Sequence, residues 1–259
     1  MKIRLTIFIH LFPWMLVAQA QPTVNSLPNT AYQSGESLKY LLYYGFIDAG
    51  HVTATIDTKN YNNKDLYHAK VMAKSIGLAD ALFKIEDVYE SYFNMTTGLP
   101  EKSIRNIHEG RYKQYIEVLF DHSKNTVISQ KSGLHKVPEN IHDIVSVLYY
   151  FRRTNLSNLK EGEIIKVQTY FGDEIFPVIL RFMGRETIKL KLGSVQTLKF
   201  APVTEVGRMF KTEDDMLIWF SDDASRIPVR IKMSLTVGSV KCDLIEYSGM
   251  KNTLQVTKK

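Results

Sequence analysis

Cysteine is almost absent from this chain of 259 residues, because Cys242 is the only one. A single thiol excludes an internal disulfide framework. Val240 and Leu244 share its face of a predicted strand, which indicates a buried structural thiol. A nucleophilic cysteine is the alternative, and no accompanying motif supports it.

Long hydrophobic runs are also missing after residue 20, so no later segment predicts a membrane-spanning helix. The start of the chain combines Lys2 and Arg4, an apolar run over residues 5–17, and Ala18-Gln19-Ala20. This order is typical of a secretory signal peptide, here residues 1–20, cleaved after Ala20. The alternative is an uncleaved anchor, against which the shortness of the run argues. No Cys follows the run, which disfavours a lipoprotein anchor. We therefore expect a soluble protein exported to the periplasm.

Neither sign of charge dominates. The chain has 33 Lys and Arg against 27 Asp and Glu, a formal net charge of +6 that falls by two when Lys2 and Arg4 are removed. The basic residues are scattered along predicted strands, whereas nucleic-acid binding needs a basic cluster that follows a phosphate backbone. We predict no nucleic-acid partner.

Motifs for catalysis and metal binding are missing as well. The sequence contains no H-E-x-x-H pair, no G-x-S-x-G turn and no phosphate-binding glycine loop. Paired carboxylates occur at Asp214-Asp215 and Asp222-Asp223, where turns are expected, and solvated turn residues account for both without acid–base chemistry. The sequence therefore predicts a protein that is not an enzyme, with no catalytic residues, no metal and no cofactor.

What the chain has in abundance is alternation of apolar and polar residues. Over a dozen segments read as strands, among them residues 36–46, 51–59, 84–94 and 227–236. Long antiparallel strands twist and curl. We predict a mainly β fold with a large curved antiparallel sheet, either a half-barrel or two similar half-sheets, and one buried central helix.

That helix is predicted over residues 141–153 (IHDIVSVLYYFRR). Asp143 suits its positive end, and Arg152 and Arg153 suit its negative end. One apolar face recurs at helical spacing through Ile144, Val147, Leu148 and Phe151. An apolar helix in a β chain must bury itself against the sheet. A second, short helix is possible over residues 76–83.

The predicted domain plan has four parts: the signal peptide, a flexible leader over residues 21–34, a single β-rich domain over residues 35–250, and a frayed tail over residues 251–259. Halves at 35–135 and 160–250 would be joined by the helix, here taken as 139–154. Glycine and glutamate open both halves, at Gly35 and Gly162, and similar aromatic, turn and proline patterns follow in the same order. The alternative is that the similarity of the two halves is incidental, because any series of β-hairpins repeats the same kinds of strand and turn patterns.

Aromatic residues cluster on the first strands and on the helix. Such clusters are ordinary core packing in most proteins, but an apolar groove rimmed by hydroxyls would suit a lipid-like ligand. The candidate ligand contacts are Tyr149, Tyr150, Ile144, Leu148, Phe151 and Trp219.

Four phrases in this order resemble a known family: GESLKYLLYYGFIDAGHVTATI, LFKIEDVYESYFNMTTGLPEKSIRNIHEG, HDIVSVLYYFRR and MLIWFSDDASRIPVRIKMSLTVGSVKCDLIEY. The chain is similar to the exported bacterial family labelled domain of unknown function 3108. The resemblance spans residues 35–247 and implies a Gram-negative envelope protein, but it implies no catalytic residues. The segment around Trp219 is also similar to periplasmic lipoprotein carriers, whose curved half-barrels hold acyl chains.

Three hypotheses for function follow. The first is a periplasmic module that binds an apolar or lipid-like ligand on the concave side of the sheet, with the helix as a plug or lid. The second is a structural or assembly factor that binds another envelope protein through an edge strand. The third, an enzyme, ranks last.

Overall fold

A single sheet organises the part of the chain that the structure describes. The computed structural model describes residues 28–203, 216–235 and 238–258. The predicted signal peptide, the leader as far as residue 27 and Asp214-Asp215 lie outside these ranges. The strands are β1 (Glu36–Tyr44), β2 (Ile47–Tyr61), β3 (Lys64–Ser75), β4 (Glu86–Asn94), β5 (Pro100–Glu109), β6 (Tyr112–Asp121), β7 (Thr126–Ser129), β8 (Gly133–Lys136), β9 (Ile164–Phe171), β10 (Glu174–Leu190), β11 (Gly193–Pro202), β12 (Met216–Ser221), β13 (Pro228–Ser234), β14 (Ser239–Ser248) and β15 (Val256–Thr257). The helices are α1 (Gly77–Leu82), where a short helix was predicted, and α2 (Ser146–Arg153).

The strands form an up-and-down antiparallel meander. Their order is β8-β7-β6-β5-β4-β3-β2-β1-β14-β13-β12-β11-β10-β9, with β15 beside β11. The pairing of β1 with β14 joins the two halves. Within the described residues no ladder joins β8 to β9, so the sheet curls without closing into a barrel. The predicted fold class, a large curved antiparallel sheet with a buried helix, is confirmed.

Features of the first half recur in the second. Gly35 and Gly162 both have φ of 87°, a left-handed conformation that favours glycine. Their N–H groups donate to the neighbouring hairpin strand, at Ile56 O (2.8 Å) and Phe182 O (2.9 Å). The β4–β5 and β12–β13 ladders each slip next to a proline, Pro100 and Pro228. These features follow the order that the sequence comparison of the halves predicts, and a common origin of the halves stays a prediction.

At the opening between β8 and β9, the segment that leads into α2 runs beside β9. His142 runs beside the outer edge of β9 in a parallel bridge with Thr169. Its N–H donates to Gln168 O (2.9 Å), and its carbonyl accepts from Tyr170 N–H (2.8 Å). This edge of the sheet is therefore partly covered by the chain itself, one way in which proteins protect edge strands.

The bridge shortens the helix. α2 begins at Ser146, five residues after the predicted start, because residues 141–143 are extended along β9. Asp143 then accepts hydrogen bonds at Oδ1 from the N–H groups of Val145 (2.7 Å) and Ser146 (2.9 Å). The predicted position of Asp143 in the first turn is wrong, because the residue precedes the helix, but its carboxylate still accepts from the N–H groups at the start of the helix.

The helix lies between the two half-sheets and belongs to both cores. Val147 and Phe151 pack in a cluster with residues of β9 to β12, including Phe182, Phe200 and Phe220. A second cluster combines Val145 and Tyr149 with residues before β1 and on β2 to β4: Ala31, Tyr32, Ile56, Tyr67, Ala69 and Phe93. The two faces of one short helix thus join the halves of the sheet, which explains why six of its eight residues are buried.

A buried ion pair fixes the C-terminal end of α2. The guanidinium of Arg152 donates to both carboxylate oxygens of Glu36 in β1, at 2.5 and 2.8 Å, and Nε donates to Ser225 O at 3.0 Å. The side chains of Arg152 and Glu36 are only 2% and 1% exposed. Burial alone would lower the pKa of Arg152, but the hydrogen bonds and charge of Glu36 outweigh it and raise this pKa. Arg152 therefore binds a distant strand, where the sequence predicted only a favourable charge at the helix end.

Both ends of the domain are packed, contrary to the sequence predictions for residues 28–34 and 251–258. Tyr32, expected in a flexible leader, is fully buried, and its ring centroid lies 4.9 Å from that of Tyr149. Leu254, expected in a frayed tail, is 3% exposed, and β15 pairs with β11. Both end segments are mostly polar, but the apolar side chains within them are removed from water by packing on the domain.

Among the described residues, no helix has the length and apolar character needed to cross a membrane.

Candidate functional site

A cavity lies at the opening of the sheet, and we call it the seam cleft. Three parts of the fold meet there: the strands β4 to β6, the segment that enters α2, and the end of β9 with its turn into β10. Its lining includes Tyr89, Arg105, Ile116, Val118, Asp143, Ile144, Val145, Tyr170, Phe171 and Asp173. The cleft exists because the curled sheet brings its two edge strands, β8 and β9, toward each other without joining them in a ladder.

The cleft is small. About 40 Å³ is open to the centres of water molecules, whereas sites for drug-sized ligands enclose roughly 300–1,000 Å³. A single water needs roughly 10–15 Å³ measured in this way, so the space suits a few ordered waters. It does not suit an acyl chain.

Asp143 lies at the helix side of the cleft and is 2% exposed. Besides the two N–H groups at the helix start, Ser91 Oγ donates to Asp143 Oδ2 at 2.5 Å. Burial raises the pKa of Asp143, although these hydrogen bonds favour the carboxylate and oppose the rise. Because its hydrogen bonds hold the local backbone and a neighbouring strand, Asp143 is a structural carboxyl.

Asp173 lies opposite, in the β9–β10 turn. Ser129 Oγ donates to its Oδ1 at 2.5 Å, and Lys131 Nζ is 3.4 Å from its Oδ2. Partial burial would raise the pKa of Asp173, but the hydrogen bonds and the Lys131 charge prevail and lower it. Ser129 and Lys131 belong to the β7 end of the sheet, so Asp173 links the two sides of the opening.

Two further polar groups in the cleft lack partners. Arg105 Nε and the Tyr170 hydroxyl are buried, and neither makes a hydrogen bond of good geometry to a described residue, although Ser132 and Asp173 lie close enough to the Tyr170 hydroxyl to affect its pKa. The Arg105 guanidinium carbon lies 5.2 Å from the centroid of the Phe171 ring, and its Nη2 donates to Gln114 Oε1. Burial raises the pKa of Tyr170. Unpartnered polar atoms beside a water-sized space fit ordered water, which would supply the missing hydrogen bonds.

His142 adjoins this region without lining the cleft. Its ring is buried, with Nδ1 at 3.2 Å from Ser146 Oγ. Burial lowers the pKa of His142 to about 3, and the charges of His122 and Arg153 contribute. The imidazole is therefore neutral near pH 7. In a nucleophile–base arrangement, a histidine lies between a carboxylate and a hydroxyl. Here the Ser91 hydroxyl donates directly to the Asp143 carboxylate, and the His142 ring does not lie between them.

The six predicted ligand contacts do not meet at one site: Tyr149 and Phe151 belong to different core clusters, and Trp219 belongs to a third. Ile144 borders the seam cleft. Tyr149 and Phe151 are core residues, while Leu148 and Tyr150 are half-buried on α2. Trp219 lies in another cluster, which includes Leu254 of the C-terminal segment, and its Nε1 donates to Glu186 Oε1 at 2.6 Å. Ligand binding by these six residues stays a prediction.

Sequence reasoning missed Arg105, Tyr170 and Asp173 as site residues. They come from separate strands and a turn that meet only because the sheet curls, and no local motif marks them. The turn that contains Asp222-Asp223 was correctly predicted, since Asp223 Oδ1 accepts from Ser225 N–H at 2.9 Å. Within residues 28–203, 216–235 and 238–258, no group of three His, Cys, Asp or Glu side chains is placed to hold a metal ion.

Comparisons with known proteins place the chain in a family without a described function. A family model described as "Protein of unknown function (DUF3108)" matches residues 39–245. No curated protein matches the chain.

Two solved structures are similar to the chain to different degrees. A beta-barrel-like protein of domain of unknown function DUF1849 from Brucella abortus is similar over 84% of this chain and 98% of its own, with TM-score 0.55 and 8% identity. A DUF1089 family protein from Pseudomonas aeruginosa covers 68% of this chain and 87% of its own, with TM-score 0.38 and 6% identity. The first agrees with a nearly closed curved sheet, and its likeness shows the fold alone.

Proposed function

The chain belongs to the DUF3108 family, and from that premise we propose that it is a non-catalytic structural or assembly factor of the cell envelope that binds another envelope protein. The observation that supports this most is the filled concave side. α2 occupies it and packs on both half-sheets, leaving the water-sized seam cleft. A protein whose interior is filled must bind partners through its outer surface.

A candidate surface lies on the outer face beside β8, and we call it the outer stripe: Leu119, Ile128 and Leu134. The register aligns these residues directly across three strands. They are 38%, 52% and 68% exposed, while their chain neighbours Val118, Phe120 and Val127 are buried. Adjacent exposed apolar side chains of this kind mark interaction surfaces.

The backbone next to the outer stripe supports the same partner class. β8 ends the sheet and, in the described chain, pairs only with β7. A partner strand added to β8 would satisfy its free N–H and C=O groups and would bring side chains onto the stripe. The β9 edge is less available, because His142 already covers part of it. Strand addition at β8 therefore accounts for both the free edge and the exposed side chains.

Site-specific photo-crosslinking in the native envelope tests the proposal. A crosslinker at Leu134 should give one discrete protein adduct, and Ile128→Ser elsewhere in the stripe should abolish it. The matched control is a crosslinker at Ile164, which is 46% exposed and begins β9, at the opposite end of that strand from the Asp173 turn that contacts Ser129. An adduct that survives Ile128→Ser, or that forms equally at Ile164, would contradict the role of the stripe.

The second candidate is a module that holds an apolar ligand between helix and sheet, favoured by Ile144 and Val145 in the wall of the seam cleft. Native mass spectrometry and solvent extraction of the exported protein distinguish the two. We expect no bound lipid, because α2 fills the space. A stoichiometric lipid would favour the ligand-binding module.

A further inference from the structure

We propose that the end of the sheet that contains α1 inserts into an anionic lipid surface, an inference independent of the partner proposed above. The relevant residues, which we call the apolar tip, are Phe46, Ile47, Leu78, Leu82 and Phe83. Phe46 is fully exposed, and Leu82 is 78% exposed.

The orientation of α1 is the first argument. An ordinary surface helix turns its apolar side chains toward the core, but α1 has no buried residue. Its polar side chain faces inward instead, since Asp80 accepts from Ser75 Oγ at 2.6 Å. Leu78 and Leu82, four residues apart and hence on one face, point to solvent. The helix is held with its apolar side outward, an arrangement that favours an external apolar phase.

Contacts within the fold join the tip into one surface. The N–H of Ile76 donates to Ala49 O at 3.0 Å, which places α1 beside the start of β2 and thus next to Phe46 and Ile47. A Cβ on Gly110, in the β5–β6 turn, would meet the Phe83 ring at 2.8 Å, so this ring already lies against that turn. The tip therefore spans the ends of several neighbouring strands.

The two ends of the sheet differ in chemistry. Other turns at the same end also expose apolar side chains: Tyr112, Ile175, Phe176 and Leu235. At the opposite end, the β2–β3 turn is Asn62-Asn63 and the β6–β7 turn is His122 to Asn125, and neither carries an exposed large apolar residue. A lipid layer needs no shape-matched groove, so projecting turns at one end fit it better than they fit a protein pocket.

The surrounding charge favours anionic lipid. Among the described residues, the exposed charged residues at the strand ends and turns of this end include two acids, Asp48 and Glu174, and four bases, Lys74, Lys84, Arg111 and Lys113. The acids Asp80, Glu86 and Glu109 are half-buried. Long basic side chains beside inserted apolar groups can reach lipid head groups. Apolar tip and basic border together form a site for a negatively charged lipid surface.

Tryptophan placed at the tip reports insertion directly. In the full chain, Phe46→Trp should emit at shorter wavelength when vesicles of phosphatidylethanolamine and phosphatidylglycerol are added, and brominated acyl chains should quench it. Leu134→Trp, an exposed site on the outer stripe, should not respond. Both variants share the native Trp14 in the N-terminal apolar run and the native Trp219, so only the difference between the two variants reports the tip. No shift at position 46, or equal shifts at both positions, would overturn the proposal.

A loss-of-binding variant gives an independent readout. Phe46→Ser combined with Leu82→Ser should lower vesicle binding about tenfold, because two exposed apolar groups are removed. Thermal unfolding should be unchanged, since neither residue is buried. Lys74→Glu with Lys84→Glu should weaken binding to the anionic vesicles but not to phosphatidylcholine vesicles. Unchanged binding in either variant would contradict lipid docking, and so would a stable dimer in solution that buries the Phe46→Trp indole without vesicles.

Discussion

Removal of one partner of the ion pair between Arg152 and Glu36 should be among the most destabilising single changes at a polar side chain of this fold. Both groups are almost fully removed from water, so removal of one leaves the other charged and uncompensated. Breaking a buried pair in this way costs about 3–5 kcal/mol. We therefore expect Arg152→Met to lower the free energy of unfolding by about that amount. The loss includes the hydrogen bond to Ser225 O.

The assay is urea denaturation followed by circular dichroism, in a double-mutant cycle. Glu36→Leu alone should be similarly destabilising, because it leaves a buried guanidinium. Arg152→Met with Glu36→Leu should cost much less than the sum of the single losses, because no charge then remains buried. For residues in direct contact, a coupling of roughly 0.5–3 kcal/mol is normal, and we expect the upper end of that range here.

An exposed ion pair on the same strand supplies the control. Lys39 Nζ lies 3.7 Å from Glu246, and these side chains are 43% and 70% exposed. Lys39→Met should change the free energy of unfolding by less than about 1 kcal/mol, because surface pairs are screened and mobile. If Arg152→Met costs no more than Lys39→Met, or if the double mutant is simply additive, the reasoning about burial is wrong.

Two further predictions concern the helix segment. The pKa of His142 is lowered to about 3 in the folded protein, against an ordinary value of 6.5. Between these two values the unfolded chain binds a proton that the folded protein does not. The free energy of unfolding should therefore fall as the pH decreases from about 6.5 toward 3, by up to about 1.4 kcal/mol per pH unit. In urea titrations, His142→Gln should reduce this dependence of the free energy of unfolding on pH. Asp143, whose raised pKa acts in the opposite direction, is present in both the wild type and the variant. An identical pH dependence in the two would contradict the prediction. Phe151→Ala should lower the free energy of unfolding by about 3–5 kcal/mol, because the ring is 2% exposed in the core. Leu148→Ala, on the half-buried side of the helix, should lower it by less. Equal losses of stability in denaturation experiments would mean that the helix is rotated.

Local patterns predicted the elements of this fold well because the interactions that define them are local. Alternation gives strands, and an apolar face through Val147 and Phe151 gives a helix. The start of α2 could not be predicted from the same pattern. His142 leaves the helix to bridge Thr169, and that pairing exists only because the meander curls until β9 lies nearby.

The partners of charged residues were harder to predict than the elements. The sequence shows Arg152 at the end of an apolar helix, but Glu36 is 116 positions away and nothing local links the two. Arg105 and Asp173 in the seam cleft present the same difficulty. The packed leader was missed for a different reason: Ala31 and Tyr32 stand in a polar stretch, and their partners lie on distant strands and in the C-terminal segment.

The attachment of α2 bears on how the protein can function. A lid needs one weakly held end, yet this helix is held at both ends. The bridge of His142 to β9 holds its entry, and Arg152 bonds Glu36 while Arg153 Nη2 donates to Thr96 O at its exit. α2 is therefore part of the scaffold. On the proposals made above, the outer stripe and the apolar tip act from different parts of the surface, so a partner strand on β8 and a lipid layer at the tip do not compete. Ile128→Ser should then abolish the protein adduct and leave vesicle binding intact, while Phe46→Ser with Leu82→Ser should do the reverse.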